Sequence, residues 1–281
     1  MEIEGINIED YTDLELKRFE ANGAASLPVP AESGYVSHEG AEIWYNSFGA
    51  GRPVLLLHGG FGHSGNWGYQ VPALLENGYR AIIMDTRGHG RSTRDARPYT
   101  YELLASDVSA VLNHLRIKSA TLVGWSDGAC TALVLAATEP TRVAGVFYFA
   151  CNMNPSGAKN PFDPSPLLER CFSRHTKDYA ELSSTPDQFT TLFEDVGLMQ
   201  RTQPNYSLHD LAAINVPVVI AQAEHDEFIK REHAECLAES IPNARYHFLQ
   251  GVSHFAPLQK PSQFNTAIVS SINDFWKTKR D

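Results

Sequence analysis

Short apolar runs at 54–57, 80–84, 120–123, 143–149 and 216–221 punctuate the chain, separated by longer stretches that include helix-like periodicity. Runs of that length, rich in Val, Ile and Phe, read as strands buried on both faces. The segment 100–115 has the clearest helical stripe, with Tyr101, Leu104, Val108, Val111, Leu112 and Leu115 spaced to share one face. Helices are also expected over 129–139, 231–240 and 261–276, and strands over 41–47 and 245–249. Strands alternating with helices predict an α/β fold, a mostly parallel central sheet flanked by helices.

The alternation stops at Cys151 and resumes at Val216. The gap opens with NMNPSGAKNPFDPSP, dense in turn formers, and continues with helix-like segments around 167–176, 179–183, 186–196 and 206–213. An insertion leaving the carboxyl edge of a sheet lies over the edge where such folds bind ligands, so residues 151–213 are expected to form a helical cap. The predicted organisation is an N-terminal extension at 1–33, a core built from 34–150 and 214–281, and the cap between them. In the extension, Tyr11, Leu14, Arg18 and Phe19 suit a short amphipathic helix, packed on the body or exchanged within a homodimer; a loosely attached tail is the simpler expectation.

Composition narrows the function. With 281 residues, 43% of them hydrophobic, the chain can bury a sizeable core. A net charge of −10 repels nucleic acid and anionic membrane surfaces. The acidic start MEIEGINIEDYTDLELKRFE is unlike a signal peptide, and no apolar run approaches the ~18 residues of a membrane span, which points to the cytoplasm. Cys130, Cys151, Cys171 and Cys236 form no C-x-x-C pair and read as reduced thiols that pack as small apolar residues.

Chemistry concentrates at Gly124-Trp125-Ser126-Asp127-Gly128, between the run 120–123 and the helical stretch 129–139. This G-x-S-x-G lies between strand and helix, so Ser126 would occupy a sharp turn with its hydroxyl exposed above the sheet. A serine needs a base in contact and a carboxylate to orient that base. Asp226, in AEHDEFI, follows the run 216–221, and His254, in GVSH, follows 245–249. Glu224 is the reserve acid. A second stretch, GGFGHSG at 59–65, has the spacing of a dinucleotide-binding turn, with Asp85 placed as a ribose-binding acid. It equally suits a loop offering backbone N–H groups to an oxyanion. Pro72 and the Asn66-Trp67-Gly68 delay before any helix count against the nucleotide.

Together, HGG at 58–60, DTRGHGRS at 85–92, GWSDG at 124–128, HDEFI at 225–229 and GVSH at 251–254 make the chain from about residue 35 to 276 resemble the α/β-hydrolase fold superfamily. Its nearest flavour is that of the capped, cofactor-free esterase, enol-lactonase and valacyclovir-hydrolase-like members. The resemblance implies Ser126 as nucleophile, Asp226 as acid and His254 as base. The oxyanion hole would come from the backbone of Gly60 or Phe61 together with Asp127. It implies no cofactor or metal, and hydrolysis of an ester or lactone. The alternatives are C–C or amide hydrolysis, perhydrolysis, or a slow-turnover small-molecule receptor. Trp125, Met153, Phe162 and Phe193 are candidate pocket residues for a small to medium, largely apolar substrate.

Overall fold

The computed structural model describes residues 14–277. Its strands are β1 (Glu32–His38), β2 (Ala41–Phe48), β3 (Arg52–Leu57), β4 (Tyr79–Met84), β5 (Ala120–Trp125), β6 (Val143–Phe149), β7 (Val218–His225) and β8 (Ala244–Ser253). They form one sheet in the order β1-β2-β4-β3-β5-β6-β7-β8. The pairs β1–β2 and β2–β4 are antiparallel, and every pair from β4 across to β8 is parallel. The helices are α1 (Leu14–Asn22), α2 (Gln70–Glu76), α3 (Tyr101–His114), α4 (Asp127–Thr138), α5 (Pro166–Leu182), α6 (Phe189–Thr202), α7 (Leu208–Ala212), α8 (Arg231–Ser240), α9 (Ala256–Gln259) and α10 (Pro261–Lys277).

The apolar runs divide between two cores with the two-residue period of a strand. Leu55, Leu57, Ile82, Met84, Leu122, Val146, Tyr148 and Ile220 enter the core shared with α3, α4 and α8. Val54, Leu56, Ala81, Ile83, Val123, Phe147, Phe149 and Val219 enter the one shared with α1, α2 and α10. Because helices cover both faces, these strands carry no polar alternation.

Parallel pairing from β3 to β8 turns the carboxyl ends of β3, β5, β7 and β8 to one edge, and each candidate catalytic group lies just beyond one of them. The β6–β7 connection carries α5, α6 and α7. In the insertion and the extension the structure departs from the expected pattern. The segments expected at 167–176 and 179–183 are one helix, α5, capped by Ser165, whose hydroxyl accepts from Leu168 N at 3.1 Å. Residues 14–22 form a helix whose Leu16 and Phe19 are buried, with Leu14 exposed; this part of the extension is packed on the body rather than loosely attached. Tyr11 lies outside the described residues.

Candidate active site

Ser126 stands at the junction of β5 and α4 with φ +53° and ψ −125°, a conformation non-glycine residues rarely hold. The turn is over-determined by its surroundings. Ser126 N donates to Phe149 O at 2.9 Å, and Ser126 O accepts from Ala129 N at 2.7 Å. A Cβ on Gly124 would lie 2.4 Å from Ala129 Cα, and one on Gly128 would lie 2.1 Å from Leu57 O. Helix and strand therefore approach closer than any side chain would permit. Ser126 stays partly exposed while Trp125 and Asp127 are buried.

Beyond β8, the buried His254 ring donates through Nδ1 to Asp226, 3.1 Å from Oδ1 and 3.3 Å from Oδ2. Asp226 Oδ1 also accepts from the backbone N–H groups of Phe228 and Ile229, both at 2.9 Å. The carboxylate is thus aimed before it meets the ring, and the bond fixes the tautomer that leaves Nε2 a lone pair. Burial pulls the His254 pKa down, but the carboxylates of Asp226, Glu227 and Asp127 outweigh it, and the value lies above that of an ordinary histidine. The ring centroid is 6.2 Å from that of Trp125, the residue preceding Ser126. Among the described residues no hydrogen bond joins the Ser126 hydroxyl to His254; in such sites the nucleophile–base bond often tightens only around substrate.

The loop after β3 crosses this site. A Cβ on Gly59 would lie 3.1 Å from Ser126 Cβ. Gly62 N donates to Gly59 O at 3.2 Å, which closes a turn with Gly60 and Phe61 at its centre. Phe61 holds φ +65°, which a turn of this kind normally reserves for glycine. Asp127 is the first residue of α4, so its N–H has no acceptor within the helix. Its buried side chain accepts from Tyr101 Oη at 2.7 Å and from Gln200 Nε2, on α6, at 2.9 Å. Burial pushes the Asp127 carboxyl pKa up, against the effect of those two bonds.

The β6–β7 insertion packs an aromatic wall against that loop. Phe61 contacts Phe172 at 5.5 Å and Phe193 at 5.1 Å between ring centroids, and Phe228 stands edge-on to His254 at 4.7 Å. Of the four pocket candidates, Phe193 belongs to this wall and Phe162 lies against Phe228 at 5.6 Å. Trp125 packs on Trp67 and Phe255, and its ring also lies near His254. Met153 is wholly buried, its N–H donating to His233 Nε2 at 3.0 Å.

Two groups escaped the sequence reading. Gln200 has no motif, and only the fold brings it to Asp127. Glu227, one residue past Asp226, accepts from His254 N at 3.0 Å and from Ser165 Oγ at 2.6 Å. Its place in HDEFI was the available signal. Glu224 instead accepts from Gly251 N at 2.7 Å.

Asp85, His58 and Cys130 are occupied structurally. Asp85 is buried and accepts from Ser64 N at 2.7 Å and Arg91 N at 2.8 Å, so it ties two loops together where a ribose-binding acid would need free oxygens. His58 accepts from Thr86 N through Nε2 and donates to Gly59 O through Nδ1; burial, with His89 nearby, pushes its pKa down to about 3 and keeps it neutral. Cys130 lies 2.9 Å from both Cys151 Sγ and Asn152 O, and burial raises its thiol pKa well above the ordinary value, which disfavours a nucleophilic thiolate. Among the described residues no group of three or more His, Cys, Asp or Glu is placed to hold a metal ion, and no helix is long and apolar enough to cross a membrane.

The family model for the α/β hydrolase fold matches residues 52–163, the span from β3 through the elbow to the start of the insertion. The chain has the α/β-hydrolase fold. This hydrolase is 28% identical over 255 residues to the non-heme haloperoxidase of Rhodococcus erythropolis, covering 77% of this chain and 90% of that protein. To the serine hydrolase BPHL of Homo sapiens it is 26% identical over 255 residues, covering 87% and 88%. The structure of Est816, described as an N-acyl homoserine lactone degrading enzyme, superposes with a TM-score of 0.67 at 26% identity, covering 84% of this chain and 99% of that one.

Proposed function

We propose that this hydrolase cleaves a carboxylic ester or lactone through an acyl-enzyme on Ser126. His254 Nε2 takes the hydroxyl proton as Ser126 Oγ attacks the carbonyl carbon, and Asp226 holds the tautomer and stabilises the imidazolium. The N–H groups of Asp127 and of Gly60 or Phe61 receive the oxyanion, dipoles already oriented before charge develops. His254 returns the proton to the leaving alkoxide. Water, activated by the same ring, then releases the acid and restores Ser126.

The observation that carries this reading is the Asp226–His254 hydrogen bond at the sheet edge that also holds the strained Ser126 elbow. The phenylalanines around Phe61 support a largely apolar substrate beneath the insertion, which we read as a cap. The buried thiols and net charge of −10 suit a cytoplasmic protein that acts without nucleic-acid, membrane or cofactor partners. The test is a panel of p-nitrophenyl esters and lactones with wild type and Ser126→Ala. Hydrolysis by wild type and its loss in the variant are expected; a variant as active as wild type would overturn the assignment. Likeness to a haloperoxidase favours a second reading, in which hydrogen peroxide replaces water in the deacylation step. Adding peroxide to the same panel and measuring peracid separates the two.

A further inference from the structure

α5 lays three successive turns on three successive residues of the loop after β3. Phe172 meets the Phe61 ring, His175 lies beside Gly62 with its Cε1 3.7 Å from where a Cβ would be, and Asp178 Oδ2 accepts from His63 Nε2 at 3.3 Å. His63 Nδ1 accepts from Gly65 N at 3.1 Å, so the proton on Nε2 is fixed toward Asp178. At its amino end the same helix reaches the other half of the site through Ser165 Oγ, which donates to Glu227, the acceptor of His254 N.

A flank of α5 adjoining its loop-facing side is covered by α1, and the two share His175. Phe19 stands edge-on to His175 at 5.7 Å, and Glu20 pairs with Arg170 at 3.5 Å. The backbone of Gly23 lies against the Arg174 guanidinium, which itself pairs with Asp178; a Cβ on Gly23 would be 2.7 Å from Arg174 Nη2. α1 is in turn fixed to the body. Glu15 accepts from Tyr69 Oη at 2.5 Å, and Ala25 O approaches so close that a Cβ on Gly68 would lie 2.0 Å from it. Leu16 and Phe19 are buried in the core that includes Trp67 and Phe264. α5 is thereby held against both α1 and the loop, through His175 and the Arg174–Asp178 pair.

We propose that α1 is a brace that presses α5 onto the loop, which makes Phe19 and Asp178 positioning residues for the oxyanion donors. The proposal rests on the reading of Gly60 or Phe61 as such a donor. A positive φ at a phenylalanine persists only where its surroundings hold it, and the turn around Phe61 is held from above by α5. Neither α1 nor α5 falls within the span 52–163 matched by the family model, so the brace is built from segments outside that span.

The experiment compares full-length wild type, Phe19→Ala, Phe19→Leu and Asp178→Asn, with three readouts: p-nitrophenyl ester kinetics, hydrogen exchange over 59–65 and 166–182, and Tm. Phe19→Ala is expected to lower kcat about tenfold or more, leave KM within about twofold and speed exchange over 59–65, since small misplacements of catalytic groups are costly. Phe19→Leu, which refills the contact, is expected to restore wild-type values. Asp178→Asn, which leaves α1 in place, is expected to reproduce the loop effect. The proposal is overturned if Phe19→Ala lowers Tm while kcat and loop exchange stay at wild-type values. Should Phe19→Ala fail to fold, unchanged kcat and loop exchange in Asp178→Asn overturn it. Exchange is read without turnover, whereas failure of a fluorophosphonate to label Ser126 would count against the functional reading alone.

Discussion

Gly60→Ala isolates the geometry of the proposed oxyanion loop. The φ of Gly60 is not positive, so alanine meets no intrinsic backbone penalty there and the perturbation is steric. Its Cβ would lie 2.5 Å from Asp127 Oδ2 and 2.8 Å from Gln200 Nε2, where ordinary contact begins at 3.4 Å. The shortfall is 3.4 Å less 2.5 Å, about 0.9 Å. Asp127 cannot retreat cheaply, because its carboxylate is buried and bonded to Tyr101 and Gln200. The loop must lift instead, carrying its N–H groups away from the carbonyl oxygen by a comparable distance. Losing one oxyanion donor costs about 10²–10³ in kcat, roughly 2.7–4 kcal/mol of transition-state stabilisation. The assay is steady-state hydrolysis of a p-nitrophenyl ester, with Tm measured alongside. A kcat lowered about a hundredfold with KM little changed is expected. Wild-type kcat in a folded Gly60→Ala protein would refute the placement of the loop.

In the proposed mechanism the raised pKa of His254 sets the acid limb of activity. The base works only when neutral, so kcat/KM is expected to fall as pH drops through a value above the ordinary ~6.5. Asp127→Asn removes one of the charges that raise it and should move that limb to lower pH in a pH–rate profile; an unmoved limb would show that Asp127 carries no charge there. Arg87 and Asp107 are both buried and paired through two bonds, at 2.9 and 2.7 Å. Arg87→Met strands the carboxylate, for which a loss of about 3–5 kcal/mol in denaturant unfolding is expected. A loss under ~1 kcal/mol would show that Asp107 finds another partner or a proton.

Where a local pattern is complete, sequence and structure agree closely: β6 and α8 have the bounds expected for them, and G-x-S-x-G lies on the strand–turn–helix it implied. β1 went unread because Glu32–His38 is an edge strand that buries only Val36. α5 read as two helices because Arg174, His175 and Asp178 interrupt its apolar pattern; all three are buried all the same, Arg174 bonded to Asp178, Asp178 also to His63, and His175 packed on Phe19. For α1, Phe19 is buried as expected, but Leu16 joins it where Leu14 had been expected, and Leu14 is exposed. Glu227 had a signal in its place beside Asp226 in HDEFI, whereas Gln200 meets a partner distant in the chain, which no local spacing marks. The aromatic wall is of the same kind, since which phenylalanines face Phe61 depends on how the insertion folds back.

The central claim is that Ser126 is a nucleophile because His254, oriented by Asp226, removes its proton. Fluorophosphonate labelling followed by peptide mass spectrometry, performed on wild type, Ser126→Ala and His254→Ala, tests this most directly. The expected result is a single adduct on Ser126 in wild type, none in Ser126→Ala, and labelling slowed by orders of magnitude in His254→Ala. An adduct on another side chain, or His254→Ala labelled at the wild-type rate, would contradict it.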